Sequence, residues 1–289
     1  MNVILGSRGY VGQAFLRELE RSNEVYVAPT RHDVDIACVD SLSRFLRDYS
    51  ASFVINCAGF TGKPNVDACE HAKAECLFAN AVLPGRIREA CVRAGIPFGH
   101  VSSGCIFEGS RPDGSGFVES DIPNFCFRSN HCSFYSGTKA LGEEVLADCS
   151  SCFIWRPRMP FNEIDSPRNY LSKLMTYERL LNATNSLSQL DEFAKICLEC
   201  WRRRCEYGIY NVVNTGCVTT TQIVSMLQTH IAIGKRFEYF ESEEEFLRLA
   251  AIAPRSNCVL DNAKLRATGI PVRSIEEALL DAIQRWTSN

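Results

Sequence analysis

Glycines 6, 9 and 12 fall directly between an apolar run, Asn2-Val3-Ile4-Leu5, and a stretch of helical periodicity over 11–22. A strand that turns into a helix within so few residues needs a main chain unencumbered by side chains. This spacing permits a tight turn, close approach of backbone to a bound group, and close helix packing. The same step recurs along the chain. Short apolar runs at 2–5, 24–28, 53–56, 98–102, 152–156 and 208–213 read as strands, and the periodicity predicts helices over 11–22, 41–49, 69–94, 136–148 and 189–204. Such alternation implies an α/β fold, a Rossmann-type doubly wound parallel sheet covered on both faces, with ligands gathering at the carboxyl ends of the strands.

After Arg156-Pro157-Arg158-Met159-Pro160 the pattern loosens into a polar, proline-containing stretch over 162–169 and a short helix over 170–179. Residues 1–158 and 187–214 are therefore expected to form the cofactor-binding domain. A smaller lobe is expected from 159–186 and 215–289, with the acidic run 241–245 starting a solvated helix, where carboxylates suit the dipole.

Charge narrows the partners. Thirty-one basic against thirty-four acidic residues leave a net charge of −3, which favours neither bulk nucleic acid nor an anionic membrane surface. The glycine turn follows Met1 so closely that a charged leader with an apolar segment has no room, and a cytoplasmic location is expected. Fifteen cysteines are an odd number, scattered from Cys38 to Cys258, and read mostly as small buried apolar residues in a reducing compartment. Cys149-x-x-Cys152 and Cys197-x-x-Cys200 invite a zinc reading. It is rejected because Cys197 and Cys200 share an amphipathic helix, Cys152 opens a strand, and a long stretch separates the two pairs. The five histidines make no ligand spacing either, so no metal is expected.

Tyr135 and Lys139 stand four residues apart and so share one helix face. A phenol and an ammonium can then converge on one bound molecule, as in a nicotinamide-dependent carbonyl reductase. Moving the phenol from a pKa of about 10 towards neutrality needs about 4 kcal/mol, which a nearby cation and a cationic nicotinamide ring can supply. Gly6, Gly9 and Gly12, with Tyr10 and Val11 opening the helix, are expected to hold the pyrophosphate. Cys57, Ala58 and Gly59, at the end of another strand, form a second wall. The second strand runs into Thr30 and Arg31 rather than an acid; these residues, with Arg8 as helper, suit a 2′-phosphate, so NADPH is expected in preference to NADH.

Five segments, 54–59, 62–67, 103–108, 134–139 and 253–257, carry a resemblance over almost the whole chain to the extended short-chain dehydrogenase/reductases. Within them the chain resembles the 4-keto-6-deoxy-sugar nucleotide reductases typified by dTDP-4-dehydrorhamnose reductase, and above all the bifunctional UDP-4-keto-6-deoxy-glucose 3,5-epimerase/4-reductases of UDP-rhamnose synthesis. The resemblance implies that Ser103, Tyr135 and Lys139 form the reductase triad. Ser103 would bond the sugar C4 carbonyl while Tyr135 delivers the proton. Gly104 and Cys105 stand where reductases of the dTDP-sugar branch have an acid and an aromatic residue. If the segment is extended, Cys105 points to the same face as Ser103 and could take a proton from C3 or C5 of the sugar. Lys173 matches the residue that would return it from the opposite face. Arg255 and Asn257 match a segment contacting a nucleotide diphosphate, Lys63 and Asn65 are placed to reach sugar hydroxyls, and Asn169 to touch the nucleotide. The partner expected is a nucleotide-diphosphate sugar, and the assembly a homodimer. The alternatives are a monofunctional dTDP-4-dehydrorhamnose reductase and a non-catalytic regulatory subunit resembling that of methionine adenosyltransferase. A 4,6-dehydratase is disfavoured, because Gly104 and Cys105 replace its acid and base.

Overall fold

Strands that carry apolar side chains on both faces must be covered on both sides, and the largely apolar runs of the chain are used so in β1 (Asn2–Leu5), β2 (Tyr26–Val27), β3 (Phe53–Asn56), β4 (Phe98–Val101) and β5 (Cys152–Arg156). All but β2 are buried along their length. The computed structural model describes residues 1–129, 131–231 and 234–287. Beyond β5 lie β6 (Arg179–Leu180), β7 (Thr184–Asn185), β8 (Gly208–Asn211), β9 (Val218–Thr219) and β10 (Glu238–Tyr239). The helices are α1 (Tyr10–Arg21), α2 (Val39–Asp48), α3 (Ala68–His71), α4 (Lys73–Leu77), α5 (Leu83–Ala94), α6 (Phe134–Leu146), α7 (Tyr170–Thr176), α8 (Leu190–Arg202), α9 (Thr220–His230), α10 (Glu243–Leu249), α11 (Ala263–Ala267) and α12 (Ile275–Gln284).

Six strands form one parallel sheet in the order β2-β1-β3-β4-β5-β8, with Val3 beside Val27 on one side of β1 and beside Val54 on the other. The winding direction reverses at β1. A crevice therefore opens beyond the ends of β1 and β3, where crossovers leave to opposite sides. One face of the sheet is covered by α1 and α8 through Phe15, Leu19, Phe193 and Ile196; the other is covered by α2 and α5 through Leu42, Leu46, Ile87 and Ala90. Between strands, Gly99 lies under Trp155, whose ring atoms would be 2.0 Å from any added Cβ.

A third apolar cluster joins Phe161, Leu171, Leu180, Leu227, Ile275 and Ile283 outside the sheet. The expected boundary differs from the packing at one stretch. Leu265 and Ile270, placed in the smaller lobe by sequence, bury into the core under the sheet, because α11 returns to β8 and Lys264 Nζ donates to Ile209 O at 2.9 Å.

The helix expected over 69–94 is broken. After α3 and α4 the chain makes a π turn, Phe78–Val82, before α5. The widened turn aims Asn80 inward, where its Oδ1 accepts from Phe60 N at 2.9 Å and its Nδ2 donates to Phe60 O at 2.8 Å. Helix α6 packs against this turn so closely that a Cβ on Gly142 would lie 2.2 Å from Asn80 O. Gly142→Ala is expected to destabilise the protein by about 1–3 kcal/mol, read as a lowered urea midpoint at unchanged slope. An unshifted midpoint would show that the helix has room to move.

Candidate active site

The three glycines of the first turn do different work. Gly6 has φ +77°, and a Cβ there would meet Ala58 N at 2.6 Å; a Cβ on Gly12 would meet Gly6 O at 2.4 Å. Both positions lock the turn against neighbouring backbone. Gly9 faces a cleft of about 1040 Å³ that Tyr10, Val11, Cys57, Ala58 and Gly59 also line. No side chain caps the N-terminus of α1 at Gly9. The first-turn amides are thus available to an anion, so the residues present fit a dinucleotide pyrophosphate. The opposite wall is fixed from beneath: Asn56 Oδ1 accepts from Ala58 N at 3.0 Å, while its amide lies 2.9 Å from His100 Nδ1. Arg8 and Arg31 are exposed and, with Thr30, lie outside the cleft lining. The Thr30 hydroxyl and backbone N–H both donate to Asp33 Oδ2 at 2.7 Å, and together with Arg8 they hold that carboxyl below its usual range.

Helix α6 carries the reactive face. Ser133 caps it, accepting from Ser136 N at 3.2 Å, and Tyr135, Lys139 and Glu143 follow at intervals of four residues. Lys139 Nζ donates to Val101 O at 3.0 Å, at the end of β4. Glu143 accepts from Arg156 Nη2 at 2.6 Å and from Ser102 Oγ at 2.5 Å, all three groups being buried. Burial pushes the Tyr135 phenol well above its usual value, against a lowering hydrogen bond with Ser103, and burial pulls the Lys139 ammonium down. The ammonium is turned to a carbonyl, and the phenol is a neutral acid.

Cys105 reaches the cleft by a route other than strand alternation. Residues Gly104–Ile106 form a 3-10 turn, capped by Ser103 Oγ accepting from Cys105 N at 3.2 Å. The thiol is raised by burial, against lowering hydrogen bonds to Ser103 and Ser136 and the charges of Arg158 and Lys139. It rests protonated. Arg158 is itself buried, with Nη2 donating to Asn185 Oδ1 at 2.7 Å.

At the far end of the cleft, Lys173 lies on α7, its ammonium lowered by burial and by Arg168 and Arg255. Arg255 grips Asp67 with both arms, at 2.7 and 2.6 Å. Burial raises the Asp67 carboxyl, but the hydrogen bond and charge of Arg255 outweigh it and leave the group below its usual range. Arg168 donates to Thr61 Oγ1 at 2.9 Å and Gly62 O at 2.7 Å, tying the same loop. Asn257 and Asn65 line the cleft, although Asn257 Oδ1 accepts from Asn185 Nδ2 at 3.1 Å and Asn65 Oδ1 from Asp67 N at 2.9 Å. Lys63 is exposed and outside the lining. Asn169, expected at the nucleotide, is fully buried: its Oδ1 caps α7 through Leu171 N at 3.0 Å, and its Nδ2 donates to Asn162 O and Ile164 O. Its amide is used up within the protein. Sequence reasoning also passed over Asn80, Glu143, Arg156, Arg158 and Asp67. Of these, only Glu143 carried a signal, its four-residue spacing from Lys139.

Fold and cleft together are those of a Rossmann-type reductase. The RmlD substrate binding domain description matches residues 1–288, and the chain belongs to that family. It is 34% identical over 283 residues to the bifunctional dTDP-4-dehydrorhamnose 3,5-epimerase/dTDP-4-dehydrorhamnose reductase of Arabidopsis thaliana, covering 96% of this chain and 90% of that protein. It is also 34% identical over 283 residues to an Arabidopsis trifunctional UDP-glucose 4,6-dehydratase/UDP-4-keto-6-deoxy-D-glucose 3,5-epimerase/UDP-4-keto-L-rhamnose-reductase, of which it spans 41%. The L780 UDP-rhamnose synthase of Acanthamoeba polyphaga mimivirus has a similar crystal structure, with a TM-score of 0.89, 25% identity and 98% of each chain covered. Each of these relatives is named for the synthesis of rhamnose carried on a nucleotide.

Removing the acid from the buried pair isolates a guanidinium. Glu143→Ala is expected to cost about 3–5 kcal/mol in urea unfolding. A loss below about 1 kcal/mol would mean that Arg156 finds another partner.

Proposed function

We propose that this chain converts UDP-4-keto-6-deoxy-D-glucose to UDP-β-L-rhamnose, by 3,5-epimerisation followed by NADPH-dependent reduction of the 4-ketone. The observation that carries the reading is that Ser103, Cys105, Tyr135, Lys139 and Lys173 line one cleft that runs from Gly9 to Arg255. A hexose ring placed between them would have every required proton donor and acceptor within one enclosure.

In the reductive step the ketone oxygen lies between Ser103 and Tyr135. Ser103 donates a hydrogen bond to it, and the neutral phenol gives up its proton as negative charge develops. When bound, the reduced nicotinamide supplies the hydride. Lys139 turns from Val101 O towards the cofactor ribose and its charge stabilises the phenolate that remains. In the epimerising step, protons on C3 and C5 flank the carbonyl and are acidified by it. Cys105, once its own proton has been released to solvent, removes them as a thiolate, and Lys173, whose ammonium burial makes easier to deprotonate, returns a proton from the other side. Arg255, released from Asp67, pairs with the diphosphate, for which its planar fork is suited. Arg8 and Arg31 take the 2′-phosphate of NADPH.

The raised Cys105 thiol favours a second reading, in which the chain reduces a ketone that another protein has already epimerised. One variant separates the two. Cys105→Ser is expected to lower solvent deuterium incorporation at C3 and C5 by about a hundredfold or more, followed by NMR, while reduction of UDP-4-keto-L-rhamnose continues. Deuterium exchange at the unaltered rate in that variant removes Cys105 from the mechanism.

Tyr135→Phe should slow NADPH oxidation by about 10²–10⁴-fold. The reductive rate needs the protonated phenol, which is held above the ordinary value of 10.0. It should therefore stay level from pH 7 to 9 and fall only at higher pH; a decline centred near pH 7 would overturn this assignment. For the cofactor, Arg31→Ala should raise KM for NADPH by about tenfold and leave KM for NADH unchanged. Equal changes for both would assign Arg31 no part in discrimination.

A further inference from the structure

The chain leaves β5 through two buried arginines, Arg156 and Arg158, and surrounds them differently. Arg156 is matched to the Glu143 carboxylate. Arg158 meets only neutral acceptors: Nε and Nη2 donate to Asn185 Oδ1 at 3.3 and 2.7 Å, Nη2 also donates to Ser256 O, and no carboxylate pairs with it among the described residues. A buried cation without an opposite charge is unusual in a folded protein. Asn185 is itself held, its Oδ1 accepting from Cys258 N at 3.0 Å and its Nδ2 donating to Asn257 Oδ1 at 3.1 Å, so the guanidinium has a fixed position. Its Nη1 has no acceptor among the described residues, and the side chain lines the main cleft.

The turn that presents Cys105 packs against this side chain. Gly104 N donates to Pro157 O at 2.9 Å, and a Cβ on Gly104 would lie 3.5 Å from Arg158 Cδ. Around the thiol stand Tyr135, Ser136 and Lys139 from α6, Cys132 just before that helix, Cys69 on α3, and Cys126 and Cys258. No carboxylate is among them, and the cations are Lys139 and Arg158. Lys139 is turned to Val101 O.

From an unmatched, immobilised guanidinium packed against the 3-10 turn, we propose that Arg158 is a positioning residue for epimerisation, the fixed charge that lets Cys105 exist as a thiolate beside the sugar ring. This rests on the epimerising half of the function proposed above. The S–H proton of Cys105 goes first to solvent. The sulfur lone pair then takes the proton from C3 or C5, the C–H electron pair moves into the ring, and the negative charge passes from sulfur to the ketone oxygen as the enolate. Lys173 gives a proton to the carbon and the ketone is restored, after which Cys105 loses its proton to solvent and Lys173 regains one. A cation beside sulfur favours the first of these stages, and the charge of Arg158 acts on the thiol in that direction, against burial. Asn185, in place of an acid, leaves that charge unneutralised.

Alkylation of Cys105 by iodoacetamide, mapped on the whole folded chain without sugar or dinucleotide, reads the thiolate directly. Arg158→Gln should displace the pH profile of that alkylation upward by about one unit or more, a loss of about tenfold at pH 8.5. Arg158→Lys, which keeps the charge, should return it most of the way, and the exposed Cys38 should react alike in every variant. Since Arg158→Gln also strips bonds from Asn185 and Ser256, a second variant keeps the arginine: Asn185→Asp supplies the missing carboxylate and should displace the profile in the same direction. A profile unmoved in either folded variant, or displaced equally in Arg158→Gln and Arg158→Lys, would overturn the assignment. This readout needs no turnover, so it stands apart from the epimerase reading, which fails separately if Cys105→Ser leaves deuterium exchange unaltered.

Discussion

The buried contact between Glu143 and Arg156 sets the position of the reactive face of α6. Two charges removed from water must recover what they lose in hydration from each other and from the groups around them. Here the carboxylate also accepts from Ser102, and the guanidinium lies 5.2 Å from the centre of the Phe107 ring. The pair joins the middle of α6 to the end of β5. With Lys139 bonded to the end of β4, it fixes the rotation of the helix about its own axis. Tyr135, one turn earlier, can then face only the cleft. The π turn supplies the other side of the clamp, since Gly142 leaves no gap through which α6 could slide.

The substrate end of the cleft is organised on a different principle. Its charges are paired across loops rather than fixed within the sheet. Asp67 accepts from Arg255 and from the backbone of Ile252 and Ala253, while Arg168 holds Thr61 and Gly62. Two arginines thus join the 61–67 loop to segments near α7 and after α10. An arriving diphosphate would compete with a carboxylate for the same guanidinium, so anion binding and loop attachment share one set of hydrogen bonds.

Much of this was legible in the chain, for identifiable reasons. The buried strands announce themselves as unbroken apolar runs, and 53–56 and 152–156 coincide with β3 and β5 to the residue. The Tyr135 and Lys139 spacing places both on one face of α6. What sequence did not reveal depends on contacts between distant segments. The helix expected over 69–94 breaks at Ala72, where the backbone leaves helical geometry, and widens into a π turn where Asn80 bonds a backbone twenty residues away. Asn169 looked like a ligand contact because a polar residue before a helix carries no mark of whether it is a cap or a free side chain. Alternation of side chains misjudged how Cys105 is presented, since the 3-10 turn replaces the extended segment. The direction of the Tyr135 shift turned on burial, which spacing does not report.

Asn80 has an implication for how such a cleft can change over time. Besides the Cys76 thiol and the Thr138 hydroxyl, its amide bonds the main-chain N–H and C=O of position 60, as a neighbouring strand would. At that position the loop leaving β3 is consequently held without reference to the side chain of Phe60. That one residue is free to be replaced while the path of the backbone, and with it the cleft wall formed by its neighbours Gly59 and Thr61, stays where the fixed helix put it.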